Sequence, residues 1–211
     1  MTVSESRAAQ RPTSSDLGPS ERALVLVGFG LPGSVAVAGL PPLQTVAQRL
    51  STLLALPTQR LSPLLDPNAA LTALRAAADS EAAAAASRQA GGPSGLAALE
   101  IDPGLALPAG GSWAEALGAW RQPCVLVIGA DQLACGWPAA GTALLQRWRV
   151  PLLGVLQWGG AWDGAARRGD ALPWLGIAAG DGAAASWGGG ADPEAALAAV
   201  LTLRWQHLDL G

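Results

Sequence analysis

Residues 23–34 read ALVLVGFGLPGS, an apolar run of β-forming residues followed directly by a glycine-rich turn. A continuous apolar run of this length is typical of a strand that is buried on both faces of a parallel sheet. A glycine-rich turn after the first strand is where many α/β proteins bind phosphate, through backbone N–H groups and the N-terminus of the following helix. The pattern predicts an α/β fold with a candidate nucleotide-binding turn formed by Gly28, Gly30, Gly33 and Ser34.

Strand-like and helix-like segments alternate along the rest of the chain. Short apolar runs predict further strands over residues 56–61, 96–101, 123–129, 151–157 and 172–177. Helical spacing and N-capping residues predict helices over residues 43–54, from Asp66 to about residue 90, from Ser112, around 140–148 and from Asp192. This alternation predicts one α/β domain over residues 23–211, a doubly wound, mostly parallel sheet with helices on both faces. Residues 1–22 contain no apolar signal segment, and we expect a disordered tail there.

The chain contains no lysine, and all 13 of its basic residues are arginine. Drift toward GC-rich codons is a simple explanation, since Tyr is absent and Phe and Met occur once each. The chemical consequence is the same whatever the cause. A catalytic phosphate loop ends in Gly-Lys-Ser/Thr because the lysine ammonium neutralises the β and γ phosphates, whereas Gly33-Ser34 has no lysine before the serine. Schiff-base catalysis and a lysine general base are excluded as well.

Composition excludes several other classes of protein. A net charge of −3 gives no electrostatic reason to bind nucleic acid. Two cysteines outside any CxxC motif and a single histidine argue against a zinc site and favour a cytoplasmic protein with reduced thiols. The charge-free stretch between Arg22 and Arg49 contains glycines and prolines that would interrupt a spanning helix, so we expect no membrane span. The Gly-x-Ser-x-Gly motif of hydrolases does not occur.

Gly28, Gly30 and Gly33 match the G-x-G-x-x-G spacing of dinucleotide-binding turns. NAD binding also needs an acidic residue about 20 positions later to hold the ribose. No Asp or Glu occurs between Ser34 and Leu65, so we reject NAD binding. A degenerate phosphate-binding turn and a plain tight turn both remain open.

Two further groups of residues lie at the expected carboxyl edge of the sheet, where ligands bind in this class of fold. Glu100 and Asp102 lie at the carboxyl end of the third predicted strand, a position where carboxylates commonly hold Mg²⁺; the alternative is an ordinary polar loop. Arg167 and Arg168 lie in the segment WGGAWDGAARRGDALPWLG, residues 158–176, where paired arginines could bind an anion. We favour the alternative, a surface loop with internal ion pairs, because such pairs are common and weak.

Five segments resemble a known family in their order along the chain. They are residues 100–104 (EIDPG), 113–117 (WAEAL), 123–128 (PCVLVI), 151–156 (PLLGVL) and 172–176 (LPWLG). Dethiobiotin synthetases, ATP-dependent ligases of the P-loop superfamily, have a Glu-Gly-Ala-Gly-Gly strand end, a Pro-x-Val-Leu-Val-Val strand and a Val-Pro-Val-Leu-Gly strand in this order. The resemblance implies a P-loop-like fold, a homodimer, ATP and Mg²⁺ as cofactors, and a place in biotin biosynthesis.

This chain departs from that family at residues on which the family's chemistry depends. The family's phosphate loop, Gly-x-Asp-Thr-x-Val-Gly-Lys-Thr, falls on residues 28–34, where the lysine and the aspartate are missing. The family's lysines that bind the diamine substrate have no counterpart in a chain without lysine. Only Glu100 and Gly104 remain of the Glu-Gly-Ala-Gly-Gly motif, and the adenine-binding asparagine is replaced near Gln157 or Trp158.

We therefore expect a pseudoenzyme with a partner-binding or regulatory role, either homodimeric or bound to another protein, and we assign no catalytic residue. One alternative is an active ATP-dependent ligase in which arginines replace the lysines. Arginine binds phosphate well, but its guanidinium adjusts to the movement of a transferred phosphoryl group less readily than the compact ammonium of lysine does. A second alternative is a module that binds a small anionic ligand at Arg167 and Arg168.

Overall fold

The computed structural model describes residues 22–30, 42–61, 66–79, 92–178 and 192–208. Six strands lie within these ranges: β1 (Leu24–Gly28), β2 (Thr58–Leu61), β3 (Leu96–Leu99), β4 (Cys124–Gly129), β5 (Leu152–Trp158) and β6 (Trp174–Ala178). They form one sheet in the order β2-β3-β1-β4-β5-β6, and every neighbouring pair is parallel. All six predicted strands are confirmed.

Helices connect these strands and follow the last one. Within the same ranges they are α1 (Leu43–Leu54), α2 (Pro67–Ala78), α3 (Trp113–Ala119), α4 (Trp137–Arg147), α5 (Gly164–Gly169) and α6 (Pro193–Gln206). A 3-10 turn, Ala130–Gln132, follows β4. The longest of these helices, α6, has 14 residues, and none of the helices described here is long and apolar enough to cross a membrane.

The sheet is covered by helices on both faces. On one face, α1 and α6 pack on the central strands through apolar residues that include Leu43, Leu50, Leu197, Trp205, Leu24, Leu26 and Val127. On the other face, α2, α3 and α4 pack through residues that include Leu71, Leu74, Trp113, Leu117, Leu145, Val25, Val27 and Leu126. Successive side chains of a strand point to opposite faces, which explains why the central strands are apolar along their whole length. The doubly wound α/β fold is confirmed.

The helices begin at the capping residues of the sequence. The side chains of Asp66, Ser112 and Asp192 accept hydrogen bonds from main-chain N–H groups in the first turns of α2, α3 and α6, at 3.1, 3.2 and 3.0 Å. These bonds satisfy N–H groups that have no acceptor within the helix itself. The predicted starts of the three helices are confirmed.

The structure differs from the sequence-based expectations at three places. The second helix, predicted to reach about residue 90, ends at Ala78 with Asp79 as its C-cap residue, and residues 80–91 lie outside the described residues. The short helix α5 is not predicted, because its six residues bury no apolar side chain. The predicted tail over residues 1–22 lies outside the described residues except for Arg22, which is buried and bonded to the domain.

The winding direction of the chain changes at β1. The connection after β1 runs through α1 on one face, whereas those after β3 and β4 run through α3 and α4 on the opposite face. Loops that diverge in this way leave a crevice beyond the carboxyl ends of the strands, and ligands of doubly wound folds bind there. The residues that follow β1, β3 and β4 therefore form the candidate site.

Candidate functional site

The turn after β1 meets the loop after β3. Gly30 N donates a hydrogen bond to Asp102 Oδ2 at 3.4 Å, across 72 positions of sequence. Gly28 ends β1, and Gly30 has a φ of 70°, a left-handed conformation that favours glycine. Two of the four predicted nucleotide-binding residues therefore lie at the candidate site, while Gly33 and Ser34 lie outside the described residues.

The carboxylate of Asp102 is bonded on both oxygens to main-chain donors. Besides the bond from Gly30 N, Asp102 Oδ1 accepts a hydrogen bond from Gly104 N at 2.8 Å. Gly104 packs closely on α4, because a Cβ there would lie 2.9 Å from Leu144 Cδ2. Asp102 is 8% exposed and holds the loops after β1 and β3 together.

Glu100 acts as a cap for α1 from a different strand. Its Oε1 accepts a hydrogen bond from Gln44 N, in the first turn of α1, at 2.7 Å. The N-cap residue Pro42 provides no side-chain hydrogen bond of its own. A carboxylate at this position satisfies an unpaired N–H group and is attracted by the positive end of the helix dipole. Glu100 therefore provides negative charge at the N-terminus of α1, the kind of helix end at which nucleotide-binding α/β folds bind phosphate.

The magnesium site predicted at Glu100 and Asp102 stays a prediction. Each carboxylate has main-chain N–H donors, as described above. Among the residues that the structure describes, no group of three or more His, Cys, Asp or Glu side chains is arranged to hold a metal ion. A magnesium ion at this edge would therefore take most of its ligands from water or from a bound phosphate.

Gln132 joins the ends of β4 and β1, and the sequence pattern does not single it out. Its Oε1 accepts a hydrogen bond from Gly129 N at 2.9 Å, and its Nε2 donates to the carbonyl of Phe29 at 2.8 Å. The Phe29 ring stacks on Trp137 with centroids 6.0 Å apart and leaves no room for a Cβ at Gly141, which would lie 2.6 Å from the ring. Gln132 has no exposed surface. The turn after β1 is thus held from both sides, by Asp102 and by Gln132.

The two arginines of the predicted anion site have different surroundings. The Arg167 guanidinium lies 4.6 Å from the centroid of Trp174, pairs with Asp170 Oδ2 at 3.7 Å, and donates to Gln157 Oε1 at 3.4 Å. The Gln157 amide in turn donates to the carbonyls of Gly159 and Ala161. Arg168 is exposed at the end of α5. This geometry fits the surface loop with internal ion pairs that we favoured.

Comparison of the chain with protein-family models, with curated proteins and with solved structures finds no match. The resemblance to dethiobiotin synthetases stays a prediction, which rests on the segments quoted above. Gln157, one of the two positions expected near the adenine site, is bonded within its own loop through its side-chain oxygen and its amide.

Many of the described charged residues are sorted between the two edges of the sheet, with Asp79, at the end of α2, and Arg167 and Arg168, after β5, as exceptions. Acidic residues follow the strands or cap the helices at the carboxyl edge: Asp66, Glu100, Asp102, Asp131, Asp163 and Asp192. Arginines precede the strands or end the helices at the amino edge: Arg22, Arg75, Arg121, Arg147, Arg149 and Arg204. Both placements complement the helix dipoles. Glu100 and Asp102, which follow β3, place negative charge at the candidate site, and this charge opposes phosphate unless a cation is bound with it.

Proposed function

We propose that this chain is a non-catalytic relative of the dethiobiotin synthetases that works by binding protein, either a second copy of itself or another chain. The hydrogen bond from Gln44 N to Glu100 carries the proposal, because it gives the first turn of α1 an internal carboxylate in place of a ligand phosphate. The chain would then keep the nucleotide-binding scaffold, with the Glu100 carboxylate in the position of the ligand's phosphate.

The chemistry of the surrounding residues supports a loss of phosphoryl transfer. No lysine is present to neutralise or follow a transferred phosphate. The carboxylate of Asp102 accepts a hydrogen bond from Gly30 N, in the turn whose main chain would cradle phosphate. A nucleotide would have to displace carboxylates that are already bonded to the main chain and overcome their charge.

Binding to a protein partner is supported by the tryptophans. Of the eight that the structure describes, six are only partly buried: Trp120, Trp137, Trp148, Trp158, Trp162 and Trp174. Tryptophan is enriched at protein interfaces and at the positions that contribute most to binding, whereas in an isolated domain it is mostly covered. Charged residues make up only 14% of the chain, which leaves less polar surface than usual around these rings.

A thermal-shift titration with ATP and Mg²⁺ tests the loss of nucleotide binding. A ligand at about 100 times its dissociation constant adds about 2.7 kcal/mol to the free energy of unfolding, which raises Tm by roughly 5–10 °C in a chain of this size. We expect no such rise at millimolar ATP. A saturable rise that needs both ATP and Mg²⁺ would overturn the proposal and favour the active ligase.

Light scattering over a range of protein concentrations tests self-association in the same samples. A dimer that forms without nucleotide is the expected result if the partner is a second copy. A monomer at all concentrations would exclude self-association and leave a different chain as the partner, to be identified by crosslinking in the source cells.

A further inference from the structure

The turn after α4 presents a tryptophan between two exposed arginines at the amino edge of the sheet. Trp148 is the C-cap residue of α4 and is half-buried, while Arg147 and Arg149 on either side of it are exposed. The main chain of this turn is fixed, because Trp148 O lies against Gly118 of α3 and Arg149 O accepts a hydrogen bond from Arg121 Nη1 at 2.9 Å. We call Arg147, Trp148 and Arg149 the basic end.

An apolar hairpin lies at the opposite edge of the sheet, between β3 and α3. Residues 104–111 include no charged side chain, and Leu105 among them is 36% exposed. Hydrogen bonds within the hairpin hold its shape: Leu107 N donates to Gly111 O at 3.0 Å, and Gly110 N donates to Leu107 O at 2.9 Å. A loop that is already ordered loses little conformational freedom when it binds a partner.

Two exposed carboxylates lie at the same edge as this hairpin. Glu115, in the first turn of α3, approaches the hairpin so closely that a Cβ at Gly111 would lie 3.0 Å from Glu115 Oε2. Asp131 lies in the turn before α4, the helix against which the start of the hairpin packs. We call residues 104–111, Glu115 and Asp131 together the acidic end.

The two ends are complementary in charge and lie at opposite ends of the same two helices. Within the described part of the chain, no salt bridge involves Glu115, Asp131, Arg147 or Arg149. Exposed charges of opposite sign on two surfaces steer their association and fix its orientation. Tryptophan and arginine are enriched among the residues that contribute most to binding, and the basic end combines both. The helix dipoles act in the same direction, since the negative end of α4 lies at the basic end and the positive end of α3 at the acidic end.

We propose that the acidic end of one copy of this chain docks on the basic end of a second copy, so that copies associate head to tail. This inference rests on the proposed function, because it names the two surfaces through which the chain binds itself. Both members of the complementary pair belong to this chain, so a second copy supplies the opposite charge for each.

The position of the two ends favours this arrangement over a side-by-side dimer. Between the ends, the exposed side of α4 presents Ala139, Ala140 and Ala143, which carry no charge and little apolar area. Because the two docking surfaces differ, a dimer keeps one free end of each kind, and a further copy can add to it.

Light scattering of the full chain over a range of concentrations tests the docking with two charge-reversal variants. The first carries Arg147→Glu and Arg149→Glu, and the second carries Glu115→Arg and Asp131→Arg. We expect the wild-type mass to rise past that of a dimer as concentration increases, and to fall at high salt because screening weakens the attraction. Each variant alone should self-associate at least about tenfold more weakly, since like charges then face each other. An equimolar mixture of the two should associate again, because their reversed ends are complementary.

Arg60→Glu combined with Arg168→Glu is the matched control. Both arginines are exposed and lie outside the two ends, and the control changes the net charge as much as the first variant does. It should associate as the wild type does. If the second variant does not fold, because an arginine in the first turn of α3 opposes the helix dipole, Asp131→Arg alone takes its place with the same expected outcomes.

Four results would overturn the proposal: a mass that stops at the dimer at every concentration, wild-type association by either variant, an equal loss in the control, or no recovery in the mixture. These results differ from a failure of the proposed function. Self-association that ignores the charge reversals overturns the head-to-tail docking alone. A wild type that stays monomeric overturns self-association as a whole, and an ATP-dependent rise in Tm overturns the loss of nucleotide binding.

Discussion

Gly118 lies in α3 where the helix passes closest to the turn before β5. A Cβ at this position would lie 1.8 Å from the carbonyl oxygen of Trp148 and 2.8 Å from its carbonyl carbon. Real Cβ contacts shorter than 3.0 Å are essentially never seen, so the two backbones would have to separate by about 1.2 Å. The obstacle is main chain and cannot rotate away. The turn is also fixed, because Val150 N donates to Leu145 O at 3.0 Å and Arg149 has a left-handed φ of 56°.

Gly118→Ala should lower the free energy of unfolding by about 2–3 kcal/mol. Overpacking of a close contact costs about 1–3 kcal/mol and sometimes more, and a backbone displacement of this size belongs at or above the upper end. Alanine returns up to about 1 kcal/mol through its higher helix propensity. A loss of this size lowers Tm by roughly 5–10 °C in a chain of this length.

Urea denaturation followed by tryptophan fluorescence measures the effect, and the nine tryptophans of the chain give a strong signal. Gly169→Ala is the matched control, since Gly169 is also helical and a Cβ there meets nothing within 4 Å. The free energy of unfolding of the control should be within about 0.5 kcal/mol of that of the wild type, or slightly higher. If Gly118→Ala were as stable as the control, α3 would not pack on this turn as described.

Other substitutions test the candidate site and the core. Glu100→Ala should lower the free energy of unfolding by about 1 kcal/mol, because α1 loses its only described cap; an unchanged urea midpoint would contradict the capping role. Gln132→Leu should lower the free energy of unfolding by about 3 kcal/mol, because two buried main-chain groups, one donor and one acceptor, lose their partners. The same urea titration measures this change, and a decrease of less than about 0.5 kcal/mol would contradict the described bonds of Gln132. Iodoacetamide should modify the exposed Cys135 in the folded protein and spare Cys124, since burial raises the pKa of the Cys124 thiol and the thiolate is the reactive form. Mass spectrometry of the labelled peptides decides this, and rapid labelling of Cys124 would mean that β4 opens.

Local patterns in the sequence predicted most of the fold. The apolar run of residues 23–29 predicted β1 because a strand covered on both faces has no polar side. Asp66, Ser112 and Asp192 predicted three helix starts because each cap bonds a donor only two or three residues away. The end of α2 and the short helix α5 escaped prediction, since alanine-rich sequence does not mark a stop and α5 buries no apolar side chain.

The candidate site was predicted in position but not in its bonding. The glycines after β1 and the carboxylates after β3 were expected at one edge, because parallel strands end together. That Glu100 caps α1 could not be read from the sequence, since its donor lies 56 positions away and the motif around it is equally typical of a metal site. No sequence pattern pointed to Gln132, because glutamine is common in loops.

The sequence by itself determined which segments are strands and helices, that the sheet is covered on both faces, and that lysine chemistry is impossible. Tertiary structure alone decided the strand order, the partners of Glu100 and Asp102, and the bonds by which Gln132 joins β1 and β4. The physical reason is the range of the interactions. Propensity, capping and apolar periodicity act within a few residues of the chain, whereas a hydrogen bond or a charge pair depends on distances in space that only the packing of the sheet sets.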